Sequence, residues 1–124
     1  MKSKSPRKQR KAIYTAPLHR RGKSMVAQLS RELRDKYGVR NLPVRKEDEV
    51  LVRDGMFSGI QGKVSGIDHR EYTVTIDGVT AEKTSGQSYF VPIKPSHITI
   101  VKLKMDTWRD KILKRKGAEM KEEK

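Results

Sequence analysis

The chain has 124 residues, and at about 100 to 200 residues per domain that leaves room for one compact body with extensions but not for two enzyme domains. It carries 29 Lys and Arg against 15 Asp and Glu, a net charge of +14 with a pI near 10.2, a surplus that predicts a polyanionic partner. The absence of cysteine excludes disulfides, thiolate nucleophiles and Cys-ligated zinc, and a mean hydropathy of −0.81, with no apolar run near the roughly 18 residues of a membrane-spanning helix, predicts a soluble intracellular protein without a membrane partner.

Residues 1–23 mix Lys, Arg, Ser and Pro with little apolar content, too little to bury a core, and are predicted to be a disordered basic arm that binds RNA. Its cations include Arg7, Lys8, Arg10, Lys11, Arg20, Arg21 and Lys23, with Tyr14 and His19 among them. The guanidinium forks of Arg20 and Arg21 suit phosphates, and the imidazole of His19 suits stacking on an unpaired base. Arg7, Lys8, Arg10 and Lys11 are general phosphate neutralisers, and Tyr14 either stacks on RNA or packs on the folded body.

Residues 24–45 are expected to form a short helix and a linker. Ser24 is placed to cap a helix to Tyr37, with Met25, Leu29, Leu33 and Tyr37 recurring every four residues and Gly38 in the usual stop position. Arg31, Arg34 and Lys36 lie on its polar side.

Residues 46–103 read as the folded body. The pattern changes to short β runs at 49–53, 59–67, 72–76, 88–93 and 98–103, and five strands in so short a stretch predict a mainly β fold, a small five-stranded barrel. Val50, Val52, Val64, Val74 and Ile76 are core candidates. Residues 46–100 hold 6 Lys and Arg against 8 acids, whereas residues 1–45 hold 14 against 2, so the cationic excess lies in the extensions. Residues 104–124 are expected to form a basic helix, starting near Asp106 or Thr107, and a frayed tail. Thr107 and Asp110 have the spacing of a capping box, Trp108 is expected to pin the helix to the body, and Lys111, Lys114 and Arg115 supply charge.

Between two of these strands, Asp54-Gly55-Met56-Phe57-Ser58-Gly59-Ile60-Gln61-Gly62-Lys63 places three glycines in a hairpin. Gly55 serves a turn that needs positive φ, while Gly59 and Gly62 serve a sharp bend or a close backbone approach. Phe57 is either a base-stacking tip or a cover for the barrel mouth, and Arg45, Lys46, Arg53 and Lys63 frame the rim. No Lys-Ser/Thr pair follows the glycines, which argues against a nucleotide loop. His69 and His97 have no metal-ligand spacing, and the successive carboxylates Glu47, Asp48 and Glu49 splay to opposite faces of a strand, so neither a metal site, a cofactor nor a catalytic constellation is expected.

The glycine hairpin resembles a KOW motif, with Gly62 at its central glycine. With Ala16-Pro17-Leu18-His19-Arg20-Arg21, Leu33-Arg34-Asp35-Lys36-Tyr37, Leu42-Pro43-Val44-Arg45-Lys46, Lys94-Pro95-Ser96, Leu103-Lys104-Met105-Asp106 and Lys111-Ile112-Leu113, the chain resembles ribosomal proteins of the universal L-twenty-four family, in their archaeal and eukaryotic L-twenty-six branch. Ser58 departs from the basic residue often found before the second hairpin glycine. The resemblance implies an SH3-like barrel and a structural constituent of the large ribosomal subunit on the cytoplasmic ribosome. It also implies large-subunit rRNA binding near the polypeptide exit tunnel, neighbouring ribosomal proteins as partners, a role in early subunit assembly and no small-molecule substrate. Under that resemblance Arg31, Arg34 and Lys36 face RNA. The alternative, a KOW-bearing transcription elongation factor, predicts a further α/β domain for which residues 1–45 are too basic and too poor in strands. A nucleic-acid enzyme would need a carboxylate cluster, and a DNA-compacting protein would bind duplex DNA as well as rRNA.

Overall fold

A computed structural model describes residues 3–116; the tail expected to fray lies outside the described residues. In chain order the elements are α1 (Pro6–Thr15), α2 (Leu18–Ser24), β1 (Val26–Leu29), α3 (Arg31–Tyr37), β2 (Asn41–Pro43), β3 (Glu49–Val52), β4 (Gln61–Asp68), β5 (Thr73–Ile76), β6 (Thr80–Glu82), β7 (Ser88–Phe90), a 3-10 turn (Pro95–His97), β8 (Ile98–Lys102) and α4 (Thr107–Arg115).

The fold is mixed α/β and mostly strand. Six strands form one sheet in the order β2-β1-β8-β3-β4-β5, and β6 pairs with β7 in a second. Neighbours are antiparallel except β1 and β8, where Gln28 and Leu29 run parallel to Thr99 and Ile100. The five strands expected from alternation are all present with slightly different ends, while β1, β2 and β6 are additional. The ladders do not close into a continuous barrel among the described residues. Val50, Val52, Val64, Val74 and Ile76 are buried as expected, and Leu42, Ile98 and Ile100 complete the centre of the core. Full burial of each such aliphatic side chain stabilises the fold by about 1.5–3 kcal/mol.

The helix expected over 24–37 is instead a strand followed by a helix. Met25, Ala27 and Leu29 are all buried, a period of two; the four-residue spacing of Met25 and Leu29 fits either a strand or a helix. The helix begins only after Ser30, whose hydroxyl accepts from the Leu33 amide at 3.4 Å, and ends at Gly38, left-handed at φ 65°.

Gly55 has the positive φ expected of it, 99°, whereas Gly59, expected at a bend or a close approach, is itself left-handed at φ 92° with nothing within 4 Å of where a Cβ would lie. Gly62 faces the turn after β5 so closely that a Cβ there would lie 2.3 Å from the Asp77 carbonyl oxygen; only glycine admits that approach. Phe57 is half-buried, packed against the core on one side and open to solvent on the other, a placement that suits both of its readings. The exposed tip residue is Met56.

The C-terminal helix is capped by Asp106, not by Thr107: its Oδ1 accepts from the Arg109 amide at 2.6 Å. This cap sets the helix phase so that Arg109 and Leu113, one turn apart, face inward, and Trp108 is 65% exposed. Trp108 is therefore not the anchor. That role falls to an ion pair between Arg109 and Asp48, both essentially without solvent exposure. Arg109 donates through Nη1 to Asp48 Oδ1 at 2.5 Å and through Nη2 to Oδ2 at 2.8 Å, and Nη2 also reaches the Pro43 carbonyl at 2.9 Å. The amides of Arg45 and Lys104 donate to the same carboxylate. Glu47, left-handed at φ 72°, turns the chain immediately before Asp48.

Because removing one partner leaves the other charge buried, Asp48→Ala should cost about 3–5 kcal/mol of folding stability, read as a lowered urea midpoint, whereas Glu49→Ala, one residue on, should cost less than about 1 kcal/mol.

Candidate nucleic-acid interface

Composition predicts disorder for residues 1–23 in the free protein; the structure instead folds 6–15 and 18–24 as helices. Pro6 stands at the first turn of α1, where its missing N–H costs nothing, and the arm is held by tertiary contacts that composition does not reveal. Arg21 is the clamp. It donates through Nε to the Ala16 carbonyl at 2.8 Å, through Nη2 to that of Tyr14 at 2.7 Å and through Nη1 to that of Arg70 at 2.7 Å. Its guanidinium carbon lies 5.1 Å from the centre of the Tyr72 ring, a cation–π distance, and the Tyr72 hydroxyl donates to the Ile13 carbonyl at 2.5 Å. Tyr72 is itself left-handed at φ 54°. Of the arm's cations, Arg21 alone is turned toward its own chain in this way among the contacts described.

With Arg21 facing inward, the other cations face out. Arg7, Lys8, Arg10 and Lys11 on α1 and His19, Arg20 and Lys23 on α2 are all exposed. At about 100° per residue, Arg10, Tyr14, Arg7, Lys11 and Lys8 follow one another around one side of α1. Tyr14 sits within that basic face, 75% exposed, so the packing alternative for it is not realised; Tyr72 supplies the aromatic contact between arm and body. The opposite side of α1, through Ala12 and Ile13, borders a groove of about 660 Å³ with Arg20 and Tyr72 at its wall.

The remaining candidates divide by what they already touch. Arg45 pairs with Asp106 at 2.5 Å, and with Lys46, His69 and Lys104 it lines a cleft of about 450 Å³ beside Gly22. Lys63 is exposed on β4, and Arg31 is exposed on α3, where Lys36 lies over the Tyr37 ring at 5.5 Å. Arg34 donates to the Leu29 carbonyl and to Gln28, and Arg53 donates to Gln28 and to the Ser96 carbonyl. On α4, Lys114 and Arg115 are exposed, and Lys111 Nζ lies 4.5 Å above the Trp108 ring. Lys104, His69, Gln28 and exposed Trp108 belong to these surfaces although sequence reasoning did not select them; a basic residue next to the Asp106 cap was the available signal for Lys104. The structure does not gather all the candidates on one site. It distributes them over α1–α2, the cleft at Arg45, the α3 side and α4.

No acid/base pair is formed by 47–49. Asp48 is bound by Arg109, Glu49 lies 3.6 Å from Lys102, and Glu47 pairs with Lys104. Among the described residues no group of three or more His, Asp or Glu is placed to hold a metal, and no helix is long and apolar enough to cross a membrane.

The hydrogen bond and charge of Lys104 hold the Glu47 carboxyl below its ordinary value of 4.5. A depressed pKa means that the pair stabilises the fold above the unfolded value and that this contribution fades as pH falls through the folded one. Carbon-detected NMR should therefore find the Glu47 titration midpoint below that of a model peptide, and Lys104→Ala should return it toward the ordinary value.

The sequence matches, over residues 3–116, the family of ribosomal proteins called L26 in eukaryotes and L24 in archaea. It is 43% identical over 123 residues to the large ribosomal subunit protein uL24 of Korarchaeum cryptofilum (strain OPF8), covering 98% of this chain and 94% of that one. It is also 45% identical over 107 residues to the large ribosomal subunit protein uL24 of Methanosphaera stadtmanae, covering 86% and 92%.

For the clamp, Arg21→Ala should release the arm with little loss of global stability: amide hydrogen exchange over 6–20 should accelerate at least tenfold while the urea midpoint of the β core moves by less than about 1 kcal/mol equivalent.

Proposed function

The chain belongs to the family of ribosomal proteins just described, and from that premise we infer that it works as a structural constituent of the large ribosomal subunit, on the cytoplasmic ribosome, by binding large-subunit rRNA and helping early subunit assembly. It is not an enzyme. The observation that carries the rRNA reading is the outward basic face of α1, in which Arg7, Lys8, Arg10 and Lys11 surround exposed Tyr14. Cations neutralise phosphates along a groove, and an exposed aromatic among them offers a platform for an unstacked base. Binding of this kind is electrostatic and shape-based, and base edges need not be read.

Under this reading His19, Arg20 and Lys23 extend the α1 face along α2, and Arg45, Lys46 and Lys63 meet rRNA at the rim. Arg31, Arg34, Lys36 and Arg53 do so on the α3 side, and Lys111, Lys114 and Arg115 on α4. Arg21 serves by positioning the others. Phe57, half-buried in the glycine hairpin, offers its open side to an rRNA base. The strands are read as an SH3-like barrel. Support for closure comes from the bridge between Val74 and Ile93 and from the Val91 amide donating to the Val79 carbonyl at 3.1 Å, contacts that carry the chain from β7 back toward β5. A position near the polypeptide exit tunnel, beside other ribosomal proteins, follows from the resemblance of the sequence. The elongation-factor alternative is not favoured, since relatives aligned over most of the chain are large-subunit proteins.

The test is a salt series with a large-subunit rRNA transcript and matched duplex DNA. Replacing Arg7, Lys8, Arg10 and Lys11 together by Ala should make the slope of log affinity against log salt shallower by about three, with rRNA preferred over DNA by the native chain. Equal binding to both nucleic acids would refute rRNA recognition.

A further inference from the structure

Three stretches of the chain, 28–34, Arg53 and Ser96, meet around one exposed amide. Gln28 on β1 accepts, through its single Oε1 atom, from Arg34 Nη2 at 3.0 Å and from Arg53 Nη1 at 2.8 Å. Arg34 is fixed from behind by its Nε hydrogen bond to the Leu29 carbonyl at 3.0 Å, and Arg53 by Nη2 to the Ser96 carbonyl at 2.8 Å. Both guanidiniums are therefore oriented by backbone. Arg34 is in no ion pair among the described residues, and the nearest carboxylate to Arg53 is Asp54, 3.6 Å from Nε and itself largely exposed.

Two guanidiniums brought onto one neutral oxygen repel each other, and the amide offsets little of that repulsion because it carries no charge. A folded protein with only stability to satisfy is better served by glutamate at 28, which is isosteric with glutamine and would accept from both arginines as an anion. Glutamine instead holds the pair at a common point and leaves the site cationic. Two nitrogens that share one oxygen are close enough for a single phosphate to bridge, and planar forks suit its oxygens. The site rests on β1, the capped α3 and the residue that follows β3, where the Arg53 amide is tied to the His97 carbonyl at 2.8 Å, a better-held geometry than free loops would give.

We propose that Arg34 and Arg53, gathered by Gln28, form a preorganised clamp for one RNA backbone phosphodiester. Gln28 is the neutral placeholder that the phosphate displaces, while the Leu29 and Ser96 carbonyls hold the two guanidiniums in position. The clamp lies apart from the α1 face and rests on the rRNA-binding reading of the protein.

The full chain tests it, with a large-subunit rRNA transcript as probe and the thermal midpoint recorded for each variant. Gln28→Glu keeps both hydrogen bonds but fills the clamp with negative charge. It should leave the midpoint unchanged or raised, weaken rRNA binding about tenfold and make the salt slope shallower by about one to two. Gln28→Met leaves the two arginines in place without the amide and should stay within about threefold of the native affinity. Native affinity in Gln28→Glu would overturn the clamp, as would an equal loss in Gln28→Met, since either result makes the cluster merely structural. The α1 quadruple variant separates the two levels. Weakening in that variant with none in Gln28→Glu refutes the clamp alone, whereas no rRNA binding by the native chain refutes the functional reading and the clamp with it.

Discussion

The buried pair of Asp48 and Arg109 is the constraint on which the rest of the structure depends. A carboxylate with no solvent exposure is tolerable only if every lone pair is used, and here two guanidinium nitrogens and two backbone amides use them. Those donors come from the loop before β3, from the loop after β8 and from α4, so a single charge fixes the entry of one strand and the exit of another. No buried side-chain nitrogen or oxygen is left without a partner among the described residues. The pair also gives α4 a definite orientation, with Leu113 in the core and Lys111, Lys114 and Arg115 outward.

The same division between inward and outward cations recurs at the other end of the chain. Arg21 directs its hydrogen bonds to carbonyls and its π contact to Tyr72, and by doing so it aligns a helix whose remaining cations face solvent. Carbonyl partners tie the arm down without adding negative charge to it, so the field presented to a polyanion is undiminished. The acidic residues of the body are used differently. Glu47, Glu49 and Asp106 each sit beside a lysine or arginine of the rim, which keeps the middle of the molecule close to neutral while its extensions stay basic.

Much of the body was legible in the sequence because its signals are local. Alternation at Val50 and Val52 and at Val74 and Ile76 marks strands with one buried face, Gly38 marks a helix stop, and Gly62 marks a close backbone approach whose partner, the Asp77 carbonyl, only the structure identifies. What escaped was either ambiguous in period or long in range. The spacing of Met25 and Leu29 suits helix and strand alike, and Ala27 is too small to decide the matter by hydrophobicity. Trp108 looks like an anchor because it is the only tryptophan, yet the helix phase is set by the Asp106 cap, which turns Trp108 outward and a charged residue inward. Arg109 could not be singled out because its partner is 61 positions away. The arm helices depend on Arg21 reaching the turn at Arg70, 49 positions on. Of the site, the basic residues themselves were readable from composition and from family resemblance; the shared contact at Gln28 was not, since a glutamine has no charge to draw attention.

The parallel pairing of β1 with β8 has a kinetic consequence. Strands at 28–29 lie against 99–100, and the Asp48 carboxylate waits for the guanidinium of Arg109, so a growing chain cannot complete this sheet until it has been synthesised past those residues. Contacts so distant in sequence incur loop-closure entropy before any of them contributes stability. Until then β3, β4 and β5 form local antiparallel pairs, and the edge of β3 that will receive β8 stands open to water and to other chains. A protein built this way is most exposed to mispairing just before α4 emerges.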